Sequence, residues 1–151
     1  MLRHGFVLTR HWRDTPSGVE VEFWLATDDG PQHVRLPVQT SVAFVPQAQR
    51  AQVEALVQDE RNIELRELAL RDFHSRPVLG LYSQQHGQLI DIAQRLRRAG
   101  VEVFEADIRP PERYLMERFI TAPVSFSGQA QTDGPLLDTR MKPHPDYRPR
   151  L

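Results

Sequence analysis

A chain of 151 residues, 40% hydrophobic and 26% charged, is long enough to bury a core as one domain or two small ones. Its net charge of −1 gives no global pull on nucleic acid, so any such contact must come from a local patch. The absence of cysteine excludes disulfides and thiolate metal sites. No apolar run spans a bilayer, and the start MLRHGFVLTRHWRD has no long apolar h-region. The reading is a cytoplasmic protein with no membrane partner.

The first forty residues read as strands. GFVLTRHW precedes a turn, RDTPSG, and then VEVEFWLATDDG, in which Val19, Val21, Phe23 and Leu25 alternate with Glu20, Glu22, Trp24 and Ala26. A period of two marks a half-buried strand with one apolar face. Asp29-Gly30 is a two-residue turn signal leading into QHVRLP. SVAFVP is a short strand stopped by Pro46, and QAQRAQVEALVQ puts Val53, Leu56 and Val57 at helical spacing. NIELRELAL is strand-like, but its apolar phase slips between Leu65 and Leu68, as at a bulge or an early end.

RPVLGLYS follows as a strand. HGQLIDIAQRLRRAG is the clearest helix, with Leu89, Ile92, Ala93 and Leu96 on one face, arginines in the last turn and Gly100 as its cap. VEVFEAD returns as a strand. Residues 41 to 107 therefore run β-α-β-β-α-β, the ferredoxin-like or RRM-like two-layer unit of an antiparallel sheet with two helices on one face. Pro111 to Ile120 reads as a short helix. PVSFSG and PLLDTRM read as two strands that pair with the N-terminal meander and close a small barrel.

The predicted fold class is α+β, in four parts. Residues 1–40 form an N-terminal antiparallel β part. Residues 41–120 are the βαββαβ unit plus the short helix, and 121–142 a hairpin returning to the first part. Residues 143–151, PHPDYRPRL with its prolines, read as a linker.

The eight glycines form no phosphate-binding spacing, and the six histidines form no H-x-x-x-H or H-x-H pair. No serine sits in a G-x-S-x-G elbow. Glu105 and Asp107, on one strand face, could hold Mg²⁺ or share a proton. The favoured reading is instead an ion pair between Asp107 and Arg113. On the sheet, Phe44 reads as core, while Tyr82 is either a stacking platform for bases or an interdomain contact. The cluster Arg95, Arg97 and Arg98 reads first as a solvated helix end favoured by the helix dipole.

The stretch EADIRPPERYLMERFI carries a resemblance. Its Asp107-Ile108 followed by Arg113-Tyr114-Leu115 resembles the acidic-Ile-x-x-x-x-Arg-Tyr-Leu segment that precedes the exonuclease domain of family-B DNA polymerases. GFVLTRHWRDTPSGVEVEFWLATDDGP, SVAFVP, LALRDFHSRPVLGLY and KPHPDYRP are similar to the DNA polymerase II group of that family, across essentially the whole chain.

The resemblance implies the non-catalytic N-terminal domain of a DNA-directed DNA polymerase acting in replication or repair. Such a domain buttresses the 3′–5′ exonuclease domain and flanks the single-stranded DNA template. It also implies Mg²⁺ in the full-length enzyme but no cofactor here, since the Asp-x-Glu of the exonuclease lies beyond this stretch and no catalytic residue carries over. The template contacts would come from Arg95, Arg97, Arg98, Arg109 and Arg118, with Tyr82. Asp107, Arg113, Tyr114 and Leu115 would be structural. The alternative is a free-standing RRM-like module binding single-stranded nucleic acid.

Overall fold

The chain runs β1 (Arg3–Thr15), β2 (Gly18–Thr27), β3 (Gly30–Arg35), β4 (Ser41–Pro46), α1 (Arg50–Val57), β5 (Ile63–Arg71), β6 (Pro77–Ser83), α2 (His86–Arg98), α3 (Pro110–Glu117), β7 (Pro123–Gln129) and β8 (Leu137–Pro143). This computed structural model describes residues 2–72 and 74–145, so most of the expected linker lies outside the described residues. The chain divides into two compact units. One draws on Met1–Arg13, Val19–Gln39 and Arg109–Leu151, the other on Asp14–Gly18 and Thr40–Ile108.

In the first unit the sheet order is β3-β2-β1-β7-β8. A parallel bridge between Val34 and Leu136 joins its two edges, through Arg35 N–H to Leu136 O at 2.8 Å and Leu136 N–H to His33 O at 3.0 Å. Closure removes the exposed edges that would otherwise invite intermolecular pairing. Five strands, one parallel contact and a helix between the third and fourth strands make an OB-type barrel. Its core holds Val19, Val21, Phe23, Leu25, Val34 and Phe126, with Tyr114, Leu115 and Ile120 from the α3 region. Each fully buried phenylalanine is worth roughly 1.5–3 kcal/mol over its exposed state.

Both tight turns of this meander use Thr-x-x-Gly. Thr15 Oγ1 donates to Gly18 O at 2.8 Å and Thr27 Oγ1 to Gly30 O at 2.7 Å. Strand pairing ends at Thr27↔Gly30, so the second turn is centred on Asp28-Asp29, one residue earlier than the sequence predicts. Gly30 takes the left-handed φ of 104° as the first residue of β3, where a glycine costs no steric strain.

In the second unit three strands run β4-β6-β5, and α1 and α2 cover one face. Ala43, Val45, Leu79 and Leu81 meet Val53, Val57, Leu89, Ile92, Ala93 and Leu96 in one core. The whole predicted face of α2 is buried, whereas Leu56 of α1 is 38% exposed. The phase slip in β5 is real: its register against β6 shifts between Glu67 and Arg71.

The predicted strand at 101–107 is corrected. Val101 and Val103 keep their buried phase, but only Phe104 pairs, with Phe44 on β4. Glu105 then turns the backbone to φ 63°, which ends the extended run. The order Phe104-β4-β6-β5 is still that of a ferredoxin-like unit, with its last strand reduced to one bridge. The N-terminus of α2 has no local side-chain cap. Asp14 supplies one, accepting from His86 N–H at 2.7 Å and Gly87 N–H at 2.9 Å.

One charge cluster fixes a pH dependence. Arg76 binds Asp72 at 2.7 Å and Glu102 at 2.9 Å. The hydrogen bonds from Arg76 hold the Glu102 carboxyl below its usual range. Burial opposes the charge on Asp72, but backbone N–H groups of Arg76 and His74 and the Arg76 guanidinium outweigh it and lower its pKa. Carboxyls depressed in the folded state stabilise it above their unfolded values, about 4, and lose that contribution as pH falls through the folded ones. Urea midpoints should therefore drop between neutral pH and pH ~3, and Arg76→Gln should flatten that drop. Equal slopes in the two proteins would contradict the assignment.

Candidate nucleic-acid interface

The predicted phosphate contacts are divided between the two units. Arg95, Arg97 and Arg98 share the last turn of α2, but each has an internal partner. Arg95 pairs with Glu60 at 2.6 Å, Arg97 donates to Val103 O at 2.8 Å, and Arg98 donates to Gln94 O at 3.3 Å. Arg109 and Arg118 belong to the other unit. Arg109 is exposed at the residue preceding α3. Arg118 lies over the Tyr114 ring, its guanidinium carbon 3.6 Å from the centroid, and donates to Tyr114 O at 3.2 Å.

The residues read as structural sit where packing dominates. Tyr114 and Leu115 are buried in the barrel core, and Met141 N–H donates to the Tyr114 hydroxyl at 3.1 Å. Arg113 is half-buried on α3, and Asp107 is exposed in the turn after Phe104. Because that segment is not a strand, Glu105 and Asp107 do not share a strand face, which removes the geometry behind the paired-carboxylate reading.

Aromatic surface is the stronger signal, and it occurs in both units. On the sheet face opposite α1 and α2, Phe44, Phe104, Leu70 and Val78 line a cleft of about 460 Å³ with Arg71, Asp72 and Glu105. Phe44 is only half-buried and stands outside the helix-covered core. It was expected to pack in that core; strand alternation places it on the other face. Tyr82 shares this face, half-buried, with the Arg66 guanidinium 4.5 Å from its ring centroid.

On the barrel, β2 and β3 carry a pair that the sequence reading did not single out. Trp24 opposes His33 in the ladder, and their rings stack 4.5 Å apart at an interplanar angle of 10°. Trp24 remains 44% exposed. Alternation is what puts it there: Phe23 and Leu25 point inward, so Trp24 points out beside Glu20 and Glu22. Those carboxylates are held by Arg13 at 3.1 Å and Arg35 at 2.9 Å, which neutralises the face without making it cationic. The signal was available in the sequence as a tryptophan in the outward phase of an amphipathic strand.

Comparison with known proteins follows the same division. The family model described as DNA polymerase II, N-terminal, matches residues 5–40, and that described as DNA polymerase II, insertion domain, matches residues 41–101. DNA polymerase II of Escherichia coli (strain K12) is 56% identical over all 151 residues, and this chain spans 19% of that relative's length. The family B DNA polymerase of the hyperthermophilic archaeon Pyrobaculum calidifontis shares the fold over 89% of this chain and 19% of its own, with a TM-score of 0.67 at 16% identity. Matched along its whole length by the bacterial relative and over more than half of it by two adjoining family models, the chain belongs to the DNA polymerase II family, as its N-terminal region.

Proposed function

We propose that this region is the non-catalytic N-terminal part of a DNA-directed DNA polymerase of replication or repair. It flanks the single-stranded template and supports a 3′–5′ exonuclease domain carried elsewhere in the polypeptide. In the cytoplasmic full-length enzyme, Mg²⁺ would serve nucleotidyl transfer at residues outside this chain. Among the described residues no group of three or more His, Asp or Glu side chains could hold a metal ion, so no step is assigned to a metal here.

The observation that carries the template contact is the exposed Trp24–His33 stack. The face of strands two and three is where OB-type barrels bind oligonucleotides, and each base stacked on an aromatic ring contributes about 1–3 kcal/mol. With Arg13 and Arg35 already paired, few phosphate contacts remain, so binding should be weak and shallow in its salt dependence. Titration with oligothymidylate at low salt should quench the tryptophan fluorescence. Trp24→Ala should weaken binding by about tenfold, whereas Trp12→Phe, a change in the half-buried tryptophan of β1, should leave it intact. Unchanged affinity in Trp24→Ala would remove the assignment.

The sheet aromatics favour a second reading, a free-standing single-strand-binding module on the ferredoxin-like unit. Loss of binding in Phe44→Ala but not in Trp24→Ala would support it, as would a stop codon directly after Leu151. An open frame carrying an Asp-x-Glu strand supports the polymerase.

A further inference from the structure

The carboxylate of Glu22 is shared by two partners from β3. Its Oε2 accepts from Arg35 Nε at 2.9 Å and lies 3.5 Å from His33 Nε2. The first contact is a charge-assisted hydrogen bond. The second is too long for a good hydrogen bond from a neutral imidazole and becomes an ion pair when the ring is protonated. His33 in turn lays its ring against one face of Trp24, 4.5 Å away and nearly parallel. Arg35, Glu22, His33 and Trp24 therefore form one chain of contacts that ends on an exposed indole.

The surroundings of His33 decide what a proton there does. β2 brings Glu20 and Glu22, and β3 brings Arg35, which contacts both. β1 brings Arg13, held on Glu20, and by alternation from Arg13 the exposed His11. Asp28 and Asp29 lie farther out, in the turn between β2 and β3, and Arg3 is 3.9 Å from Asp29. The Leu136 segment meets His33 through a backbone hydrogen bond at 3.0 Å. With both imidazoles neutral, the two carboxylates of this face offset its two guanidiniums. Protonation of His33 puts a cation against the inner face of the indole, which attracts one, and leaves the outer face for a base.

We propose that His33 positions Trp24 for an unpaired base, and that protonation of His33 converts the platform to a tighter-binding state. This rests on the reading of Trp24 as the template contact and adds a proton to it. The charged ring gains the Glu22 ion pair, which fixes imidazole and indole together and removes part of the ordering cost of stacking. The same charge makes the face cationic toward a phosphate backbone. Affinity therefore rises as pH falls through the range where imidazoles charge, and by reciprocity a bound strand takes up protons.

The test uses labelled oligothymidylate, whose bases do not titrate between pH 8 and 5.5, followed by fluorescence anisotropy. The protein is the Trp12→Phe chain, in which Trp24 is the remaining tryptophan. Lowering the pH over that range should quench Trp24 emission and tighten binding about two- to fivefold. His33→Phe keeps a ring against the indole without the charge, and should abolish both changes. His11→Gln should retain both. Tightening that survives in His33→Phe, or that disappears in His11→Gln, overturns the proposal. So does binding that is lost in Trp24→Ala yet independent of pH, a result that leaves the template reading intact. No binding at any pH removes both.

Discussion

Tyr114→Ala is expected to cost the barrel about 3–5 kcal/mol, the range for removing a large buried aromatic. Three contacts converge on this side chain. Its ring packs at 6.2 Å from Phe23 with only 3% of the residue exposed. Its hydroxyl accepts from Met141 N–H on β8, and Arg118 covers its outer face. Truncation opens a cavity beneath α3, orphans a backbone donor and releases the arginine together. Tyr114→Phe separates these effects: it keeps the packing and strands the Met141 N–H, for about 1–3 kcal/mol. Urea unfolding followed by circular dichroism measures both. A loss below about 1 kcal/mol in Tyr114→Ala would mean that α3 is not anchored through this residue.

Gly80→Val is expected to cost about 1–3 kcal/mol through overpacking and to move Tyr82. Gly80 sits mid-strand on β6, between Phe44 of β4 and Arg66 of β5. A Cβ there would lie 2.6 Å from Tyr82 Cε2 and 2.9 Å from Leu68 Cδ1. The tyrosine ring occupies the space that a side chain would fill, which explains a glycine in a buried strand. Valine would push the ring outward and break its stack with Arg66. Gly80→Ala should cost less, since both contacting groups are side chains that can shift. Near-UV circular dichroism reports the tyrosine environment. An unchanged spectrum in Gly80→Val would show that the ring does not depend on the glycine.

Elements were legible where periodicity was sustained. α2 shows four apolar positions on one face with a glycine after its last turn, and β2 alternates through eight residues; both formed as predicted. Even the phase slip in β5 has its counterpart in the register. Sequence reasoning failed where a competing interaction decided the outcome. The segment 101–107 alternates like a strand, yet Glu105 leaves the extended region and only Phe104 pairs. The helix expected to reach Ile120 stops at Glu117, because Phe119 takes a conformation that nothing in its side chain favours.

The Asp14 cap of α2 links residues more than seventy positions apart, and no local signal announces it. For the candidate site, the resemblance implied phosphate contacts by the arginines of α2, but Glu60 and backbone carbonyls already engage that cluster. The aromatic pair on β2 and β3 depended on hairpin register, which the one-residue shift of the turn had obscured.

The barrel is encoded in two separated pieces, and this bears on its biosynthesis. β1 to β3 are complete by Arg35, but β7 and β8, which pair Arg3 with Phe126 and carry Leu136 to the far edge, follow the whole ferredoxin-like unit. At ribosomal speeds of ~5–20 residues per second, an unfinished three-stranded ribbon waits on the order of ten seconds for its partners. During that interval Phe23, Leu25 and Val34 have no opposing strands to cover them, and two edges stand open. The charged residues of the outer face, Glu20 and Glu22 with Arg13 and Arg35, keep the other side of that ribbon polar, as gatekeeper residues do beside apolar strand positions.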